Sequence, residues 1–258
     1  MNLSLSGRRA IVCGSTSGIG RACAQLLAER GASVVLAARD EEKLISTVNS
    51  LDGDDHSYIC ADFNDPENLR LKTIDHINKT GVIHILMNNS GGPPGGPLIE
   101  ANPDEFEIAF KRHVISSHIL TQEVVPGMKE EGYGRIINII STSVNQVIPG
   151  LGVSNTIRGA VAQWVKTLAI ELGPYGITAN NVLPGYIDTD RLKNLLEKSA
   201  KDKNITYDQM VTETEKKTSL GRIGLPTEVA SAVAFIASEA GGYISGTNFS
   251  VDGGRFGI

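Results

Sequence analysis

Seven short runs rich in Val, Ile, Leu and Ala recur along the chain: RRAIVCG, ASVVLAAR, HSYICADF, IHILMNNS, GRIINIIS, ITANNVLPG and TNFSVDGG. Near-continuous apolarity predicts strands covered on both faces, the habit of a parallel sheet. Between them, IGRACAQLLAER, EEKLISTVNSL and ENLRLKTIDHINK carry apolar residues three and four apart, and so do the longer stretches 104–132 and 154–173. That spacing predicts helices with one buried stripe. Strand and helix in alternation predict an α/β fold: one doubly wound domain over residues 1–258, with a seven-stranded, mostly parallel sheet and helices on both faces. A chain of 258 residues is long enough to bury such a core without dividing.

The alternation breaks at residues 189–224, TDRLKNLLEKSAKDKNITYDQMVTETEKKTSLGRIG, which reads as two polar helical segments after the sixth strand. Open α/β sheets bind ligands beyond the carboxyl ends of their strands, so this insertion is expected to be a small substrate lid. GGPPGGP at 91–97 predicts a stiff, helix-free loop.

Composition narrows the classes of partner. A net charge of −5, with no basic run longer than a pair, argues against nucleic acid, whose backbone demands concentrated Lys and Arg. No apolar run approaches the ~18–20 residues of a membrane span, and MNLSLSGRRAIVCG lacks the apolar core of a signal peptide, so a cytoplasmic protein is expected. Cys13, Cys23 and Cys60 form no ligand cluster and read as small buried hydrophobes; no metal site is expected.

Directly after the first strand comes CGSTSGIGRA, with Gly14, Gly18 and Gly20 in the pattern GxxxGxG and a helix starting near Ile19. Gly14 permits the tight turn, Gly18 lets the backbone approach a pyrophosphate, and Gly20 lets helix and strand pack closely. With Ser17 and Ile19, the helix N-terminus then faces the anion. The context of strand before and helix after makes this a dinucleotide-binding turn.

Behind it, in order, stand ADFND at 61–65, NNSG at 88–91, Ser141 closing the fifth strand, and PGYIDTD at 184–190. In sequence, order and spacing the set resembles the short-chain dehydrogenase/reductases over essentially the whole chain, with most likeness to 3-oxoacyl-(acyl carrier protein) reductases and to reductase-like proteins with imperfect active-site motifs. The resemblance implies a Rossmann-type fold and a nicotinamide cofactor. It places Asp62 and Phe63 on the adenine, and Asn89 and Gly91 beside the adenosine ribose. Pro184, Gly185, Ile187 and Thr189 fall on the loop that supports the nicotinamide. An NAD enzyme would place a carboxylate after the second strand, whereas this chain has Ala38 followed by Arg39, whose guanidinium suits a 2′-phosphate. NADP(H) is therefore the expected cofactor, with NAD(H) as second choice, and Asp40 is expected to cap the next helix.

At the reacting end the chain departs from the family. Ser141 matches the serine that orients the substrate carbonyl. Thirteen residues on, where the resemblance implies a tyrosine, stands Ser154; where it implies a lysine stands Arg158; and His113 takes the place of an asparagine that supports a bound water. A serine hydroxyl is a far weaker acid than a phenol, and an arginine does not shuttle protons, so Arg158 reads as a cofactor contact. His113 titrates near neutral pH, which suggests a relay from His113 through water to Ser154, with Ser141 polarising the carbonyl. Of the remaining tyrosines, Tyr186 is a distant substitute donor, and Tyr133 and Tyr175 read as turn residues. Two readings follow. The first is an NADP(H)-dependent oxidoreductase interconverting a ketone, such as a 3-oxoacyl thioester, and a secondary alcohol with a non-standard proton donor. The second is a degenerate dinucleotide-binding protein acting as sensor, scaffold or partner subunit. The resemblance also implies a homotetramer, with the helices starting near Pro103 and Ser154 packed against symmetry mates and VDGGRFGI near another interface.

Overall fold

The computed structural model describes residues 2–255. Strand β1 (Arg9–Cys13) lies near the middle of one seven-stranded sheet. β2 (Ser33–Ala38) and β3 (Ser57–Cys60) extend it on one side; β4 (Ile85–Asn88), β5 (Gly134–Ile139), β6 (Ile177–Pro184) and β7 (Asn248–Val251) extend it on the other, giving the order β3-β2-β1-β4-β5-β6-β7. Every neighbouring pair is parallel, so the sheet is wholly rather than mostly parallel. The winding reverses between β1 and β4, and a crevice opens there past the strand ends.

In chain order the helices are α1 (Gly18–Glu29), α2 (Glu41–Val48), α3 (Pro66–Thr80), α4 (Pro103–Phe110), α5 (Ser116–Glu131), α6 (Gly152–Leu172), α7 (Asp190–Lys203), α8 (Tyr207–Glu215) and α9 (Pro226–Ala237). Successive strand residues point to opposite faces, which divides the core in two. Ala10, Val12, Val34 and Leu36 pack with α1, α2 and α9. Ile11, Cys13, Val35 and Ala37 pack with α3, α5 and α6. Both faces of β1 and β2 are thereby dry, and that is why these strands read as unbroken apolar runs.

The structure corrects two expectations about helices. The single helix expected over 104–132 is interrupted by a wide π turn at Lys111–Ile115, which carries His113 into the interior. Such one-turn insertions re-aim side chains and cluster at functional sites. Helix α9 was not anticipated at all, although Pro226 at its first position, the Glu228 carboxylate accepting from Leu225 N–H (2.8 Å) and the buried Val229, Val233 and Ile236 are the marks of a helix start and stripe.

Residues 189–224 fold as two capped helices with a small core of their own. Thr189 caps α7, Thr206 and Gln209 close a capping box on α8, and Leu192, Leu196, Ala200 and Met210 are buried together. The feet of the insertion meet, since Asp188 N–H donates to Gly224 O and Gly224 N–H to Tyr186 O, each at 2.9 Å. No helix among the described residues is long and apolar enough to cross a membrane. Of the expected terminal interface segment, Phe256–Ile258 lies outside the described residues.

Candidate functional site

The crevice at the β1 end is built by glycines that nothing else could replace. Gly14 and Gly18 hold φ of +59° and +50°, and a Cβ on Gly20 would lie 2.0 Å from the Gly14 carbonyl oxygen. Gly14 N–H donates to Ala37 O (2.8 Å), which ties the turn to β2. Ser17 stands at the cap position of α1, yet its side chain makes no capping bond, and the first turn of the helix holds no acidic residue. The opening amides of α1 are therefore left for an anion.

A groove of about 360 Å³ runs from this turn. Gly14, Ser17, Gly18 and Ile19 line it, together with Arg39, Asp62, Phe63, Asn89, Gly91 and Thr189. Gly20 lies beneath it. Asn89 Nδ2 donates to Cys13 O (3.3 Å), holding the two strand ends together, and the Asp40 carboxylate accepts from Lys43 N–H (3.1 Å) as the cap of α2. Pro184, Gly185 and Ile187 are placed apart from this groove: Gly185 is pressed against β7, its N–H donating to Val251 O (3.0 Å), and Ile187 is buried at the foot of the lid.

At the reacting positions, Ser141 follows β5 and its Oγ accepts from Ser143 N–H (3.1 Å). Ser154 is buried in the first turn of α6 and its hydroxyl makes no hydrogen bond. One turn on, Arg158 is buried too, and its Nη1 donates to Ile139 O (2.9 Å) at the end of β5. Burial, and after it the charge of Arg191, pulls the Arg158 guanidinium down to about 10, so it stays a cation at neutral pH. It lies beneath the groove rather than on its wall.

His113 is sealed in the same region. Its Nδ1 is 2.7 Å from Ser90 Oγ, and no hydrogen bond joins it to Ser154. Burial, reinforced by the charges of Arg158, Arg112 and Arg191, pushes the imidazole down to about 2. His113 is therefore neutral at physiological pH and carries no imidazolium proton to give. A relay through His113 would start from the neutral imidazole. Its Nε2 has no partner, nor have Asn88 Oδ1 and Asn138 Nδ2. The three residues and Arg158 line a small cavity of about 10 Å³, room for a single water.

Three tyrosines are held by neighbours. Tyr133 donates its hydroxyl to Ala237 O (2.7 Å), Tyr175 lies under Lys129, and Tyr186 is covered by the Arg255 guanidinium 3.9 Å from its ring centre.

A family model described as enoyl-(acyl carrier protein) reductase matches residues 14–255. The chain is a short-chain dehydrogenase/reductase. It is 32% identical to the 3-oxoacyl-[acyl-carrier-protein] reductase of Vibrio cholerae, over 98% of this chain and 99% of the relative. Among solved structures, it is similar to L-sorbose reductase from Gluconobacter frateurii complexed with NADPH and L-sorbose (TM-score 0.94, 28% identity, all of both chains). It is also similar to the 3-ketoacyl-(acyl-carrier-protein) reductase of Brucella melitensis complexed with NADH (TM-score 0.85, 28% identity, 98% of this chain and 99% of that one).

For this short-chain dehydrogenase/reductase, sequence reasoning missed several groove residues: Thr16, Ser90, Arg112, Asp190 and Arg191. Arg112 and Arg191 matter most. Arg112 donates to Asn64 Oδ1 through Nε (3.2 Å) and Nη2 (3.1 Å) and to Gly91 O (3.3 Å), while Arg191 donates to Gly92 O (3.1 Å) and Pro93 O (3.2 Å). Both brace the stiff glycine-proline loop. In the sequence they look like ordinary polar helix residues, and only folding brings them to one place.

Proposed function

We propose that this chain binds NADP(H) in preference to NAD(H) and interconverts a ketone and a secondary alcohol. The observation that carries the reading is the groove itself: free helix amides at a glycine turn that no Cβ could enter, with Ala38 where a carboxylate would favour NAD(H) and Arg39 beside it. Relatives of the same fold holding NADPH and NADH support it. The bound dinucleotide supplies the hydride chemistry. Gly14, Ser17, Gly18 and Thr189 would hold its phosphates, Asp62 and Phe63 its adenine, and Asn89 and Gly91 the neighbouring ribose. Ser141 would orient the carbonyl. Arg158 stays charged at neutral pH, so it favours negative charge developing on the carbonyl oxygen. Ser154 Oγ, free of protein partners, would pass a proton from water to that oxygen, taking one up as it gives one, in the positive potential of Arg158. A general acid contributes about 10²–10⁴ in rate, so the loss of a phenol slows such a reaction without abolishing it.

The test is equilibrium binding of NADPH and NADH by fluorescence, followed by NADPH oxidation with 3-oxoacyl thioesters and small ketones. Arg39→Ala should weaken NADPH by roughly tenfold to a hundredfold, the worth of a charge-assisted bond, and leave NADH unchanged. Equal losses for both would exclude the 2′-phosphate role.

The neutral, buried His113 favours a second reading, a dinucleotide-binding sensor or partner subunit without turnover. Tight NADPH binding with no oxidation across the substrates would select it. For assembly we propose a homotetramer in which α4 and α6 meet symmetry mates; Ile108, Phe110 and Ile115 stand half exposed beside an apolar groove of about 660 Å³ between these helices.

A further inference from the structure

Three guanidinium groups gather around the crevice without a counter-ion: Arg112 and Arg191 line the groove, and Arg158 lines the small cavity beside His113. Arg112 comes from the π turn, Arg158 from α6 and Arg191 from the first turn of the lid, and all three act on His113. Their hydrogen bonds go to neutral acceptors: Asn64 Oδ1, and the carbonyls of Ile139, Gly91, Gly92 and Pro93. Among the described residues none of the three makes a salt bridge, although Asp62 and Asp190 line the same groove. Cations gathered in one place at the cost of mutual repulsion, with no anion of the protein to balance them, are the mark of an anionic ligand.

The dinucleotide does not account for this surplus. Its pyrophosphate has the amides at the start of α1, and its 2′-phosphate has Arg39. Arg191 lines the groove from the lid side, next to Thr189 and Asp190. It reaches from the lid to the glycine-proline loop, the two walls between which a substrate would enter, and it is seated so closely that a Cβ on Gly92 would lie 2.6 Å from its Nη2. The two carbonyls it holds now are weaker acceptors than a carboxylate in the same place, because a charge-assisted, two-point bond is about twice as strong as a neutral one.

We infer that the substrate is a small oxo acid or hydroxy acid, and that Arg191 binds its carboxylate while Arg158 and Arg112 supply positive potential around it. The inference rests on the dinucleotide site proposed above and names the substrate class for that site. A neutral oxoacyl chain has nothing to offer these arginines. Positive potential at the carbonyl also suits a site whose phenol is missing, since it steadies the developing alkoxide as well as the carboxylate.

The experiment measures binding rather than turnover. The protein loaded with NADP is titrated in a calorimeter with short-chain 3-hydroxy and 2-hydroxy acids and with their methyl esters, while NADPH affinity is followed separately by fluorescence. At least one acid should bind roughly tenfold to a hundredfold more tightly than its ester, the range of a hydrogen-bonded charge. Arg191→Ala should erase that difference, with its effect on NADPH binding followed separately, and Arg191→Lys should keep part of it. Arg191→Ala also removes the bonds to Gly92 O and Pro93 O, so each variant is melted beside the parent and acid binding is compared well below its melting temperature. Acids and esters binding alike, or no acid binding, would overturn the inference. So would Arg191→Ala weakening NADPH while sparing the acid preference, which would assign Arg191 to the dinucleotide phosphates. A parent protein that binds no NADPH would instead remove the proposed function beneath it.

Discussion

Among single residues, His113 shows how far environment overrides type. In the sequence it is the one new group at the reacting positions with an ordinary titration near neutral pH. In the fold it is sealed beside three guanidinium groups and held neutral, pushed down to about 2. This has a consequence for stability. Below the ordinary value of 6.5 the unfolded chain takes up a proton that the folded chain refuses. The stability contributed by neutral His113 is thus fully present above pH 6.5 and is lost progressively as pH falls, by about 1.4 kcal/mol per pH unit for one proton. His113→Asn, which cannot titrate, should flatten the dependence of unfolding free energy on pH between neutral and mildly acidic conditions. Denaturant melts at a series of pH values would show it; an unchanged slope would mean that the imidazole is protonated in the fold. His76 and His84 are also lowered by burial, so the parent slope does not vanish entirely in the variant.

Within elements, what matters is where helices begin. Ser17 leaves the amides of α1 free for a ligand, whereas Thr206 satisfies those of α8 with a complete capping box. The first helix is kept open for binding; the second is closed for local stability. Removing the Thr206 cap should cost about 1 kcal/mol, most of it within the lid, because α8 packs in a small cluster apart from the main core. Hydrogen exchange in α8 and the end of α7 should therefore quicken in Thr206→Ala while the exchange of β1 and β5 stays as it was. A uniform acceleration would show instead that lid and sheet unfold as one. The strands and the first helices were legible because period and apolarity are local. The π turn at Lys111–Ile115 was not, because an inserted residue leaves the apolar spacing on either side intact. Helix α9 went unread because a mostly apolar, alanine-rich stretch of twelve residues shows little contrast between its faces.

For the whole molecule, the apolar groove beside α4 and α6 and the half-exposed Ile108, Phe110 and Ile115 make an apolar surface suited to a second copy of this chain. If copies of this chain cover it, Phe110→Glu should lower the mass found by light scattering after gel filtration, with the circular dichroism spectrum unchanged. A parent that already runs as a monomer would dismiss the proposed tetramer.

What the sequence determined by itself was local or repetitive. The sheet could be read because strands buried on both faces must be apolar throughout, and the phosphate turn because its glycines are demanded by backbone clearance within a few residues. Arg39 and Ser141 were placed by their position at strand ends. Tertiary structure alone decided the rest. Arg112, Arg158 and Arg191 come from three separate elements, and their shared field exists only once these elements meet around His113. Burial then decided whether a histidine is an acid, since the free energy of a charge depends on the water around it, which no spacing of residues records.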